Sequence, residues 1–118
     1  MTADDFRSIA LSFSGAVERS HFGNPDFRTG EKGRIFATLS LEREGYGVLM
    51  LTPDQPAEIA ADEPAVFSPV PGGWGRNGST RVNLAAVTED VLRAVLLLAW
   101  RNKSEPPKAS VRKRSTRR

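Results

Sequence analysis

His21 is the only histidine in the chain and there is no cysteine, so acid–base chemistry near neutral pH could run only through that one imidazole. Ser20 precedes it and Asp26 follows, which are the residue types of a nucleophile, a base and an orienting carboxylate. A strand would nevertheless point Ser20 and His21 to opposite faces, and no oxyanion-hole glycine motif accompanies them. We therefore assign no catalytic residue and expect no enzyme activity. His21 reads as a structural or binding histidine near a strand end. Without Cys and with a single His, the common zinc arrangements are excluded, and neither a metal nor an organic cofactor is expected. The paired carboxylates Asp4-Asp5, Asp62-Glu63 and Glu89-Asp90 all fall at expected helix ends, where the helix dipole accounts for them.

A second candidate is the glycine-rich run Gly72-Gly73-Trp74-Gly75-Arg76-Asn77-Gly78, whose amides beside Arg76 could cradle an anion. The phosphate-loop signature is missing, since no Gly-Lys-Ser/Thr follows and the run leads into a strand where a helix would be needed. An ordinary loop anchored by a buried Trp74 is the simpler expectation. The alternative uses Trp74 and Arg76 as ligand contacts and, with His21, makes a candidate pocket for a small molecule or anion.

The third signal is charge. The 118 residues carry a net +3, but the two parts of the chain have opposite signs. Residues 1–100 hold nine Lys and Arg against thirteen Asp and Glu, a net of −4, whereas residues 101–118 hold eight against one, a net of +7. Lys108, Arg112, Lys113, Arg114, Arg117 and Arg118 would attract DNA, RNA, anionic lipid or an acidic protein. Within the body, Arg28, Lys32, Arg34, Arg76 and Arg81 would form a basic surface only if the second hairpin and the Trp74 loop meet at one edge of the sheet.

These residues sit on elements that the hydrophobic pattern delineates. Phe6, Ile9, Ala10 and Phe13 recur at helical spacing behind Thr2 and Asp5, a capping pair, and Ser14-Gly15 supplies the stop. From Val17 to Leu51 the period changes to two, with strands expected at 17–22, 26–29, 34–42 and 46–51. Turns are expected at Gly23-Asn24-Pro25, Gly30–Gly33 and Glu44-Gly45. On this reading Ile35, Ala37, Leu39 and Leu41 share one face, and Phe36, Thr38, Ser40 and Glu42 the other. Thr52-Pro53-Asp54-Gln55 opens a short second helix that closes at Asp62-Glu63-Pro64. Residues 68–79 read as loop, Thr80–Leu84 as a last strand, and Thr88 to about Asn102 as a third helix. The final two turns of that helix have little polar circumference, so it either packs centrally or docks on a second subunit. The run Ala94–Trp100 is too short to span a bilayer. The acidic start, Asp4-Asp5, does not suit a signal peptide, and a cytoplasmic location is expected. The domain is expected over residues 1–102 and a disordered basic tail over 103–118.

The ordered series Ser20-His21-Phe22-Gly23-Asn24-Pro25-Asp26-Phe27-Arg28, Gly33-Arg34-Ile35-Phe36-Ala37-Thr38-Leu39, Phe67-Ser68-Pro69-Val70-Pro71 and Trp74-Gly75-Arg76 resembles the MmcQ/YjbR family. The resemblance runs from the first helix to about Trp100. It implies an α+β domain with helices covering one face of an antiparallel sheet, an arrangement likened to frataxin and called a double wing. It also implies DNA binding, a label that rests largely on the fold. The resulting expectation is a non-enzymatic nucleic-acid-binding protein, with the tail attracting phosphates and the hairpin bearing Arg28, Lys32 and Arg34 orienting them. A protein-interaction module or homodimer using the third helix and the Trp74 loop is the alternative. The small-molecule or anion pocket is the third reading.

Overall fold

A computed structural model describes residues 1–55 and 63–104. The second helix expected over residues 52–62 and the tail residues Lys108, Arg112, Lys113, Arg114, Arg117 and Arg118 therefore lie wholly or largely outside the described residues.

The chain opens with α1, Ala3–Leu11, which starts where the sequence calls for it: the Thr2 hydroxyl accepts the Asp5 amide at 3.1 Å and the Asp5 carboxylate accepts the Thr2 amide at 2.8 Å. These bonds hold the exposed Asp5 carboxyl below its ordinary pKa. Phe6, Ile9 and Ala10 form the buried stripe of α1. The strands β1 (Val17–His21), β2 (Asn24–Arg28), β3 (Ile35–Thr38) and β4 (Tyr46–Met50) follow as an antiparallel meander. Next come β5 (Phe67–Pro69), the four-residue α2 (Gly73–Arg76), β6 (Ser79–Asn83) and α3 (Glu89–Ser104). The sheet order is β1-β2-β3-β4-β6-β5, antiparallel throughout, because β6 turns back to pair with both β4 and β5.

The hydrophobic core lies between the sheet and the helices. Phe27, Ala37, Leu49, Val82 and Phe67 from one sheet face meet Phe6, Ile9 and Ala10 of α1 and Leu92, Val95, Leu96 and Ala99 of α3. Gly47 is required here, since a Cβ would collide with the Phe6 ring. Phe13 bridges Phe36 and Trp100, at ring separations of 6.3 and 6.0 Å.

Five sequence expectations change. The strict alternation over 35–42 fails because the register slips between Phe27 and Arg28: Phe27 pairs with Ala37 but Arg28 with Ile35. This bulge puts Phe36 in the helix-side core beside Ala37 and leaves Ile35 and Thr38 together on the opposite face. The strand ends at Thr38 and gives way to a 3₁₀ turn at Glu42–Glu44. The first turn is Phe22-Gly23, not Gly23-Asn24-Pro25, and Pro25 lies within β2, where its carbonyl accepts the Leu39 amide at 3.0 Å. Residues 68–79 are not simply loop, because β5 pairs with β6 and α2 carries Trp74. Trp74 itself is not a buried anchor; it is 64% exposed.

α3 packs on β3, β4 and α1. Among the described residues the exposed large hydrophobic side chains are Leu11, Phe22 and Trp74, none of them on α3. Central packing accounts for its wide apolar circumference. No helix of the described residues is long and apolar enough to cross a membrane.

Candidate functional site

The sheet face turned away from the helices carries a cleft of about 450 Å³. Register fixes which side chains share that face. Asp26, Thr38, Val48 and Arg81 form one row across β2, β3, β4 and β6, and His21 with Asn24 lies one row nearer the β1–β2 turn. The cleft runs diagonally. Phe22, His21, Asn24, Ser40 and Leu41 bound one end, Thr38 and Val48 form the floor, and Ile35, Met50, Val70 and Trp74 bound the other. His21 is the only titratable group in this lining; the rest is mainly apolar.

Two exposed aromatic rings stand at the rims. Phe22 is 99% exposed at φ +50°, followed by Gly23 at φ +80°, which makes a two-residue turn with both central residues in the left-handed region. Asn-Gly or Gly-Gly is the residue pair suited to such a turn, and a phenylalanine there accepts both backbone strain and full exposure. Trp74 is presented on α2 after Val70. The glycines around it are explained by packing: a Cβ on Gly75 would strike the Val70 carbonyl, and Gly78, at φ +108°, sits directly against the Leu51 carbonyl. They need no bound phosphate to account for them.

His21 is held from behind. Its Nδ1 lies 2.8 Å from Asp26 Oδ2, and Arg28 donates from Nε to Asp26 Oδ1 at 2.8 Å and from Nη2 to Oδ2 at 3.2 Å. Asp26 is fully buried. Burial pushes its carboxyl up, but the hydrogen bonds and positive charge of Arg28 and His21 outweigh this and hold it below the ordinary carboxylate range. The hydrogen bond to Asp26 in turn raises the pKa of the Arg28 guanidinium. Asp26 is thus an anion that can only accept, and His21 Nδ1 carries the proton between them. Ser20 lies on the other sheet face. Thr38 and Ser40 bond each other at 2.9 Å, and among the described residues no hydroxyl is hydrogen-bonded to His21. The sequence's base and orienter meet, but they have no nucleophile in hand.

Of the pocket residues read from the sequence, His21 and Trp74 line the cleft and Arg76, exposed at the end of α2, does not. The five body cations are dispersed. Arg28 is paired with Asp26, and Arg81 lies 4.5 Å over the Tyr46 ring and donates to the Ser68 hydroxyl at 3.2 Å. Arg34 donates to the Asn102 and Lys103 carbonyls at the end of α3, and Lys32 sits in the β2–β3 turn. Burial, and then the charge of Arg34, holds Lys103 below its ordinary pKa. The turn bearing Lys32 and Arg34 and the loop bearing Arg76 do lie at the same end of the strands, but on β3 and β6, with β4 between them. Of the other body arginines, Arg7 is engaged with Asp4 and Glu18, Arg19 with Glu31 and Arg93 with Glu89, while Arg43, like Arg76, is exposed.

Sequence reasoning missed Phe22, although a phenylalanine directly before glycine between two strands was a visible signal. It had no means of finding Asn24, Ser40, Val48, Met50 and Val70, which only cross-strand register brings together.

Helices on one face of an open antiparallel sheet, with an apolar cleft on the other, define a single-sheet α+β domain. The chain belongs to the YjbR family, whose model matches residues 11–102. The same fold is seen in the crystal structure of Deinococcus radiodurans protein DR2400, described as a DUF419 domain. The TM-score is 0.68 at 21% identity, over 84% of this chain and 75% of that one. No curated protein matches the sequence.

Proposed function

We propose that this protein is a non-catalytic binding protein whose site is the open-face cleft, and that its ligand is a small, largely apolar molecule. The observation that carries this reading is the lining itself: about 450 Å³, mainly apolar, with His21 as its one titratable group and exposed aromatic rings at both rims. That volume falls within the range of small-molecule sites, roughly 300–1,000 Å³. No lysine or arginine lines the cleft, which favours an uncharged ligand over a phosphate. The test is titration with 1-anilinonaphthalene-8-sulfonate. A saturable 1:1 fluorescence increase, lost when Ser40→Trp fills the cleft from an exposed position, supports the reading. No saturable binding, or binding indifferent to Ser40→Trp, overturns it.

Nucleic-acid binding is the second reading, favoured by the +7 net charge of residues 101–118. Non-specific attraction of DNA through that segment would weaken with salt at a log–log slope of about −4 to −7. Fluorescence anisotropy of labelled duplex and single-stranded DNA, with the full chain and with a truncation after Asn102, separates the two parts. Loss of binding on truncation assigns it to the basic segment, and retention assigns a nucleic-acid surface to the domain.

A further inference from the structure

We infer that the cleft selects a planar aromatic ligand bearing one N–H or O–H donor, and that the donor is read by Nε2 of His21. This inference rests on the cleft being a ligand site. Three observations bear on the ligand class. First, the rims are aromatic. Phe22 and Trp74 belong to turns and loops separated by β3 and β4 and approach the cleft from its two ends, so a flat ring system has a floor of Thr38 and Val48 and an aromatic contact at either side. Met50 adds a polarizable side chain suited to contact with rings.

Second, Phe22 occupies a position that the hairpin itself would fill better with Asn. Its strained backbone and 99% exposure add nothing to the core, and its ring instead sits edge-on to His21, with centroids 6.2 Å apart and planes at 85°. Local rules broken in this way are expected at functional positions. A ring lying against Phe22 is brought beside the imidazole.

Third, the imidazole is oriented. The Asp26 carboxylate, paired with Arg28, accepts the hydrogen bond from Nδ1–H, so in its neutral form the ring presents Nε2 as a bare acceptor. Nε2 has no partner among the described residues, and the ring that carries it lines the cleft. An apolar ligand with no donor leaves that acceptor desolvated and unpaired. A ligand with one donor satisfies it. Asp26 and Arg28 do not line the cleft and act as positioning residues.

The experiment is a two-dimensional ¹H–¹⁵N titration of the full chain with indole and with 1-methylindole at pH 8. The added methyl keeps the ring and removes the donor. We expect both probes to shift amides around Phe22, Ser40 and Trp74, with indole binding about fivefold to tenfold more tightly. His21→Phe should abolish the preference while retaining binding. Asp26→Asn, which no longer requires the proton on Nδ1, should reduce it. Equal affinity of the two probes in the wild-type chain overturns the role of Nε2 and leaves the cleft reading standing. An unchanged preference in His21→Phe also overturns it. Neither indole nor 1-methylindole shifting cleft amides overturns the inference, and failure of 1-anilinonaphthalene-8-sulfonate as well overturns the cleft reading itself.

Discussion

The two faces of one sheet are built from the same strands, yet they bury different things. The helix-side face presents Phe27, Ala37, Leu49, Val82 and Phe67 to α1 and α3 and leaves none of them exposed. The open face carries Ile35, Val48, Met50 and Val70 beside Asp26, His21 and Thr38, on the side of the sheet away from the α1–α3 core. The first face is saturated by the chain's own side chains, and each residue there contributes to stability. The second keeps apolar surface in reserve, and its aromatic rings stand clear of the core. The contrast separates residues that hold the fold from residues available to a ligand.

That contrast can be broken most sharply at Phe27. Phe27→Ala removes a fully buried ring that lies 6.0 Å from Phe6, and should cost about 3–5 kcal/mol in chemical denaturation. A loss comparable to that of an exposed residue would mean that the helix-side core is not packed as described.

Asp26 lies between the two regimes, because it is buried on the open face. Asp26→Asn should cost about 1–3 kcal/mol near neutral pH, since Arg28 and His21 lose an ionised partner. The sign with pH follows from its lowered pKa. Its stabilising contribution is fully present above the unfolded value of about 3.9 and is lost as pH falls through the lower folded value. The stability gap between wild type and Asp26→Asn should therefore close in acid, and a gap that widens below about pH 4 would contradict the ion-pair arrangement. The smallest effect belongs to Phe22. Phe22→Asn suits a left-handed turn position and should raise stability by about 1 kcal/mol while weakening aromatic probes at the cleft. A loss of stability there would place Phe22 among the residues that hold the fold.

Much of the architecture was legible without coordinates, for local reasons. The Thr2–Asp5 box, the helical spacing of Phe6, Ile9 and Ala10, and the shift to a two-residue period after Val17 each act within a few residues. They located α1, the meander, β6 and α3. The bulge at Phe36 was not legible, because a slipped pairing is a property of two strands. Neither was β5, a three-residue strand whose Phe67-Ser68-Pro69 reads as loop until β6 pairs with it.

The candidate site divides along the same line. Its chemistry was written in the chain: one histidine, a nearby aspartate, a tryptophan among glycines, no cysteine, and a negative body followed by a basic segment. Those identities alone excluded thiol chemistry and the common zinc sites and made His21 the one candidate general base near neutral pH. Only the tertiary structure decided that His21 meets Asp26 and Arg28, that Trp74 is exposed and Arg76 stands apart, and that Phe22 and Trp74 bound one cleft. The physical reason is range. Capping and periodicity are set by neighbours along the chain, whereas a cleft is set by strand register and by how far a turn or loop rises above the sheet.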